Sequence, residues 1–205
     1  MCSSDLIERH QIAGMAFSGH LVFPGGKVDR EDHQWPGLTS PGPVPPLGFW
    51  VAAVRETFEE AGILLARTPG TQGLVDLSAP DVAERFSGYR DGVNAGDVDF
   101  IETVGAEGLH LDGRDVHYVS QWITPMGPPR RYDARFFVTA MPSGQVPLHD
   151  NDEAVQHEWV RPRDAIAANE TDEMVMMTPT ISMLHRLARF SSVDEAVASA
   201  AGSTS

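Results

Sequence analysis

Three glutamates, Glu56, Glu59 and Glu60, are the residues whose type and spacing most directly suggest chemistry. The spacing of i, i+3 and i+4 places their carboxylates on one face if the segment is helical. Like charges at these spacings destabilise a helix by ~0.2–0.5 kcal/mol per pair, and the nearest cation is Arg55. Such a cluster is either an acidic face exposed to solvent or a set of hard oxygen ligands for Mg²⁺ or Mn²⁺.

An apolar stripe predicts the helix that carries these glutamates. Val51, Val54 and Phe58 recur at spacings of three and four residues, which is typical of one buried helix face in a helix that begins near Phe49. Gly62 follows where a left-handed residue commonly ends a helix. Because one face is buried, the carboxylates on the other keep a fixed direction, and this favours the metal interpretation.

Two segments, residues 26–32 and 55–63, resemble the two halves of the Nudix box, G-x5-E-x7-R-E-U-x-E-E-x-G-U, in which U is aliphatic. The Pro-Gly-Gly turn at residues 24–26 precedes the first half, and its backbone can approach an ion or a phosphate closely. The chain departs from the pattern in three places. Thr57 stands in the aliphatic slot, with Phe58 next to it, and Asp32 replaces the first glutamate. The spacer, residues 33–54, is 22 residues long.

The departures are themselves similar to one branch of the superfamily, the acyl-coenzyme A diphosphatases. In that branch a proline-rich insertion lies inside the box, as it does here at residues 33–48, and a Phe-Pro-Gly-Gly segment precedes it, as at residues 23–26. Further similarity to the branch lies in three other segments, which are residues 122–125, 130–137 and 190–196.

The resemblance implies roles for the box residues in hydrolysis of a pyrophosphate with Mg²⁺ or Mn²⁺ as cofactor. Glu56, Glu59 and Glu60 would bind the metal, together with the main-chain carbonyl of Gly26. Either Glu56 or Glu59 would also serve as general base, and both remain open. Arg55, four residues before Glu59, would orient its carboxylate; the alternative is an ordinary surface ion pair.

Two further acids and three arginines complete the candidate site. Asp32 and Glu153 are candidate additional acids, although Asp32 could equally be structural and Glu153 could be an exposed loop carboxylate. The arginines could hold substrate phosphates through bidentate contacts, or could be ordinary surface residues before a strand. They are Arg130, Arg131 and Arg135.

Composition excludes several classes of partner. Fifteen Lys and Arg against 29 Asp and Glu give a net charge of −14, which opposes binding to nucleic acid or to an anionic membrane. The chain has one cysteine, no apolar run long enough to span a membrane and no secretory leader pattern. We therefore expect a cytoplasmic protein that binds a small nucleotide-type substrate, and the sequence is compatible with a homodimer.

The order of apolar segments predicts an α/β fold, an α+β sandwich with a Nudix-like mixed sheet between helices and extra C-terminal helices. We expect a single Nudix domain over residues 1–197 that lacks the first strand of the fold, followed by a disordered tail at 198–205. Helices are expected at 49–61, 80–91 and 97–107, after Pro162 and from Pro179, and Ser192 with Glu195 predicts a capping box. Strands are expected at 12–24, 63–65, 116–124, 134–141 and 158–160.

Three functions remain open at this point. The first is hydrolysis of coenzyme A or acyl-CoA to 3′,5′-ADP and (acyl-)phosphopantetheine, which the branch resemblance implies. The second keeps the same chemistry on ADP-ribose or another nucleoside diphosphate derivative. The third is a Nudix module that binds a nucleotide without cleaving it, but the intact group of Glu56, Glu59 and Glu60 argues against it.

Overall fold

A computed structural model describes residues 4–9, 20–33, 45–111, 113–127, 130–147 and 154–202, with the side chains of 4–9 and 154–158 left out. The described residues of 1–23, 116–140 and 158–205 form one compact unit, called unit 1. Those of 24–115 and 141–157 form a second, called unit 2. Each unit is described by itself below.

The described residues contain both helices and strands, and the last three helices follow the last strand. The α-helices are α1 (Leu47–Ala61), α2 (Pro80–Asn94), α3 (Phe100–Ala106), α4 (Pro162–Glu170), α5 (Thr178–Leu187) and α6 (Val193–Gly202). The strands are β1 (Ser4–Arg9), β2 (Leu21–Val22), β3 (Ala66–Arg67), β4 (His110–Leu111), β5 (His117–Ile123), β6 (Asp133–Val138) and β7 (Ala154–Val160). None of the described helices has the length and apolar character that crossing a bilayer requires.

The strands confirm the α/β class. They form three small sheets, with the orders β2-β1-β7, β3-β4 and β5-β6. The pairs β1–β2, β3–β4 and β5–β6 are antiparallel, and a single parallel bridge joins Leu21 to Met176. The expected mixed sheet is therefore divided, over the described residues, into short pieces.

The core of unit 1 lies between its helices and the β5–β6 hairpin. One cluster joins Leu184 to Val160, and a second joins Met183 and Leu187 to Ala196. Met176, just before α5, and Met183, within it, therefore fill the core, as Met commonly does. The Ser192 hydroxyl accepts a hydrogen bond from the Glu195 N–H at 3.1 Å, which confirms the cap of α6.

The core of unit 2 centres on α1. Trp50, Val51, Val54 and Phe58 are buried, and the ring of Phe58 lies 5.7 Å from that of Phe100 in α3. Val51, Val54 and Phe58 are the residues of the predicted apolar stripe, so the opposite face, with its glutamates, has a fixed direction.

The prediction for the end of α1 is confirmed in detail. Gly62 adopts a left-handed conformation with φ 68°, and its N–H donates to the Phe58 carbonyl at 3.0 Å. The next N–H, of Ile63, donates to the Thr57 carbonyl at 3.4 Å. The bond from Gly62 is that of the left-handed (αL) ending of a helix, which glycine permits without steric cost.

The predicted strand at residues 63–65 is wrong. Ile63, Leu64 and Leu65 are buried but form no strand, and the short strand β3 follows them. The Gln145 side chain takes the place of a partner strand: its Oε1 accepts from Leu64 N–H at 2.8 Å, and its Nε2 donates to the Leu64 carbonyl at 2.9 Å. A distant side chain can satisfy buried backbone groups in this way, and an apolar run does not reveal it.

Several predicted boundaries also shift. The loop expected at 33–48 is shorter at both ends, because His33 ends a 3₁₀ turn at Glu31–His33 and α1 begins at Leu47; residues 34–44 lie outside the described part. Of the strand expected at 12–24, the structure describes residues 20–24, in which β2 covers Leu21–Val22. The tail expected at 198–205 is helical through Gly202 because α6 continues, and residues 203–205 lie outside the described part.

Gln145 generates a test of this account. Gln145 is a buried residue, 8% exposed. Its Nε2 also donates to the Val75 carbonyl at 2.8 Å. Gln145→Leu leaves buried backbone groups without partners, so we expect unfolding free energy to fall by about 2–4 kcal/mol in urea denaturation. Gln72→Leu, at an exposed position of the same unit, is the control and should change it by less than about 0.5 kcal/mol. Equal losses in the two variants would contradict the account.

Candidate active site

Arg55, on α1, is the centre of the candidate site. It is 9% exposed, and all five of its side-chain N–H groups have acceptors. Nε and Nη2 donate to the two oxygens of Asp32, both at 3.0 Å, and Nη2 also donates to the Lys27 carbonyl at 2.8 Å. The guanidinium therefore ties α1 to the segment that follows the Gly-Gly turn.

Asp32 is the buried counterion of Arg55. It is 1% exposed, and besides the bidentate pair its Oδ2 accepts a hydrogen bond from the Asp29 N–H at 2.8 Å. A carboxylate with this burial and these bonds is engaged in holding the loop against the helix. Of the two roles considered for Asp32 from the sequence, an additional acid of the site or a structural residue, its burial away from solvent favours the structural one.

The remaining N–H groups of Arg55 donate hydrogen bonds to two glutamates. Nη1 donates to Glu56 Oε1 at 3.0 Å and to Glu59 Oε2 at 2.9 Å. Two carboxylates that share one guanidinium nitrogen must lie close together. The orienting contact from Arg55 to Glu59, expected from the sequence, is present, and Arg55 contacts Glu56 as well.

The Gly-Gly turn packs directly against this group. Glu60, which is 3% exposed, accepts a hydrogen bond from the Gly25 N–H through Oε2 at 2.7 Å. A Cβ added to Gly26 would lie 2.2 Å from Glu56 Oε1. A side chain at position 26 would therefore displace the Glu56 carboxylate from the place where Arg55 holds it.

Burial and neighbouring charges shift the pKa values of Arg55 and Glu59 in opposite directions. Burial raises the pKa of Glu59 above its ordinary value, although the charge and the hydrogen bond of Arg55 oppose that change. Burial by itself lowers the pKa of Arg55, but the hydrogen bond to Asp32 and the charges of Glu56 and Glu59 raise it by more. Arg55 therefore stays charged and balances part of the negative charge around it.

The oxygen donors of the site fit a hard divalent cation. Over the described part of the chain, no three His, Cys, Asp or Glu side chains form a complete metal cage. Mg²⁺ does not require one, because it commonly binds one or two carboxylates and completes its shell with water and substrate phosphates. Glu56 and Glu59, converging beside the backbone of Gly26, are a donor set of that kind. Glu60 Oε2 is engaged with Gly25.

The three candidate phosphate-binding arginines belong to unit 1. Arg131 donates through Nε to the Thr124 carbonyl at 2.8 Å, Arg135 forms an ion pair with Asp133, and Arg130 is exposed. A cavity of about 520 Å³ in the same unit is lined by none of them. Their role stays a prediction, and Glu153 lies outside the described residues.

Sequence reasoning missed Arg90 and Asn94 of α2. Arg90 donates through Nε to the Glu59 carbonyl at 2.7 Å and through Nη2 to the Glu60 carbonyl at 2.9 Å. Asn94 Nδ2 donates to the Glu59 carbonyl at 3.3 Å. Both are polar residues in a modest helix of ordinary composition, so no spacing or motif signals a contact 30 residues or more away in sequence.

The Arg55–Asp32 pair generates a stability prediction. Asp32→Asn removes the charge that compensates a buried guanidinium, so we expect a loss of about 3 kcal/mol in unfolding free energy, measured by urea denaturation at neutral pH. Glu31→Gln, a charge-matched change at the exposed neighbouring residue, is the control and should have almost no effect. Similar stabilities for the two variants would show that the pair does not hold the loop to α1.

The chain is similar to known proteins of one family. A family model described as the NUDT19 Nudix domain matches residues 38–187. The human protein named Acyl-coenzyme A diphosphatase NUDT19 is 27% identical over 232 residues, covering 93% of this chain and 61% of that protein. The Gallus gallus protein of the same name is 28% identical over 243 residues, covering 95% and 64%. The chain thus spans about three fifths of the length of these relatives.

Similarity also extends to a more distant relative and to a solved structure. The Caenorhabditis elegans Putative nudix hydrolase 7 is 27% identical, covering 82% of this chain and 50% of that protein. The crystal structure of a NUDIX hydrolase from Alicyclobacillus acidocaldarius superposes with a TM-score of 0.75 at 23% identity, covering 96% of this chain and 87% of that one. That likeness establishes the Nudix fold. Since the family model covers most of the sequence, the chain belongs to the NUDT19 Nudix domain family.

Proposed function

We propose that this chain is a divalent metal-dependent Nudix pyrophosphohydrolase. The observation that carries the proposal is the pair of hydrogen bonds from one nitrogen of Arg55 to Glu56 and Glu59, at 3.0 and 2.9 Å. They bring together two carboxylates on a helix whose other face is buried, and the Glu56 carboxylate lies close against the backbone of Gly26. An acidic face with no function would need no such arrangement.

The chain's own residues hold the carboxylates of the site in position and balance their charge. A bound Mg²⁺ or Mn²⁺, held by Glu56 and Glu59 with Gly26 and Glu60 adjacent, would neutralise phosphate oxygens and lower the pKa of water. Arg55 keeps the two carboxylates converged, and Asp32 keeps Arg55 in place. Either Glu56 or Glu59 accepts the proton of the attacking water. Such positioning and charge stabilisation is the main catalytic requirement of phosphoryl chemistry.

For the substrate we propose coenzyme A or an acyl-CoA, cleaved at its diphosphate to 3′,5′-ADP and (acyl-)phosphopantetheine. Two observations support this choice. The relatives from Homo sapiens and Gallus gallus are named as acyl-coenzyme A diphosphatases. The proline-rich insertion inside the box of this chain is the feature that resembles that branch. Arg130, Arg131 and Arg135 remain proposed phosphate contacts.

The role of the converged glutamates predicts a loss of both metal response and turnover. In Glu56→Gln and Glu59→Gln variants we expect kcat to fall by about 100-fold or more, because an amide neither binds the metal as a carboxylate does nor accepts the proton. The double variant should also lose the rise in Tm that Mg²⁺ gives the parent. Glu84→Gln, an exposed glutamate of unit 2, is the control. Full turnover in both single variants would refute these roles.

The substrate assignment predicts the products. We expect mass spectrometry to detect 3′,5′-ADP when the parent protein is incubated with Mg²⁺ and coenzyme A or an acyl-CoA, and the Glu56→Gln/Glu59→Gln variant to release none. Incubations with ADP-ribose and NADH run in parallel. Release of AMP from these, with coenzyme A intact, would retain the Nudix chemistry and overturn the substrate class. Binding without any turnover would favour a nucleotide-binding module.

A further inference from the structure

The C-terminal end of α1 leaves main-chain carbonyls that the helix itself cannot satisfy. The last four carbonyls of any α-helix lack partners within the helix. Among these, the Phe58 carbonyl accepts a hydrogen bond from the N–H of Gly62. Next along the chain are the carbonyls of Glu59 and Glu60, whose side chains lie in the candidate site.

Arg90 of α2 satisfies these two carbonyls. Its Nε donates to Glu59 at 2.7 Å and its Nη2 to Glu60 at 2.9 Å, so one planar fork spans two consecutive peptide groups. Arg90 is 7% exposed. A buried cation at this end also complements the negative end of the helix dipole.

Further contacts hold helix α2 in place. Phe86 is buried, and Arg85 donates to both oxygens of Glu107, at 2.9 and 3.1 Å. Tyr89, next to Arg90, donates to the same glutamate at 2.9 Å. Arg90 therefore extends from a helix that is itself anchored.

We propose that Arg90 is a positioning residue: it fixes the last turn of α1 so that the carboxylates of Glu59 and Glu60 keep the directions that metal binding requires. The inference rests on the proposed function, because Arg90 would act by holding the glutamates that the proposed function places at the metal site. Two bonds to consecutive carbonyls constrain the turn against rotation as well as displacement. A single donor would constrain only displacement.

The fork geometry makes lysine the informative replacement. Lysine keeps the positive charge near the helix end but is a point charge on a flexible stem, so it cannot span two carbonyls as a planar fork does. Arg90→Lys therefore separates the positioning role from simple charge compensation. Arg90→Gln removes the charge as well.

The test measures metal binding without substrate. We expect Arg90→Lys to weaken Mn²⁺ binding, followed by electron paramagnetic resonance of the free ion, by roughly tenfold, as loss of a supporting contact around a metal ligand commonly does. Arg90→Gln should weaken it at least as much. Arg85→Gln, an arginine of the same helix that contacts only Glu107 and Phe86 among the described residues, is the control: its Tm should fall while its Mn²⁺ affinity stays that of the parent.

A second readout keeps this inference separate from the proposed function. Amide hydrogen exchange at Gly62 and Ile63, whose N–H groups close the last turn of α1, should speed up in Arg90→Lys and not in Arg85→Gln. Unchanged exchange, or parental Mn²⁺ affinity in both Arg90 variants, would overturn the inference, as would equal effects from Arg85→Gln. If the parent itself binds no Mn²⁺, the proposed function fails, and the exchange measurement alone still decides whether Arg90 holds the turn.

Discussion

The pairing of the Arg55 guanidinium with the buried Asp32 carboxylate is the constraint on which the candidate site depends. Taking both charges out of water is unfavourable unless every donor and oxygen is well matched, and here the five N–H groups of Arg55 all have acceptors. Because Asp32 uses one side of the guanidinium, the other side is directed toward Glu56 and Glu59. One buried ion pair thus attaches the glycine-containing loop to α1 and also sets the positions of two mutually repelling carboxylates.

The surroundings of α1 explain how a cluster of like charges is tolerated. Its apolar face, formed by Trp50, Val51 and Phe58, is buried. The free energy gained by this burial offsets the repulsion within the acidic face. Arg55 lies within the cluster, and Arg90 lies at the end of the helix. The glutamates thus lie between one cation of the helix itself, Arg55, and one cation from α2, Arg90. Of the three arginines that are buried among the described residues, Arg55 and Arg90 contact α1 near its glutamates, and Arg67 pairs with Asp115.

Prediction from the sequence succeeded where a local rule decides the structure. The course of α1, its left-handed end at Gly62 and the cap at Ser192 each follow from a few neighbouring residues, and each is present. Prediction failed where a distant group intervenes. Ile63, Leu64 and Leu65 have the composition of a strand, yet a side chain 81 positions along the chain from Leu64 satisfies its backbone instead. Arg90 was overlooked for the same reason, since its partners are carbonyls that every residue type possesses.

Residue order alone predicted which residues are candidates for chemistry and which face of α1 carries them, because helical periodicity and the box spacing are local properties of the chain. The resemblance to the box also predicted a special position for Gly26. The surroundings of Asp32 became known only in three dimensions, since a carboxylate near a loop mouth can be ligand or counterion until its burial and its partners are known. The structure likewise decided that Glu59 and Glu60 are anchored through their main chain by α2. The physical reason is that long-range hydrogen bonds to backbone groups depend on how helices pack, and residue type alone does not encode that packing.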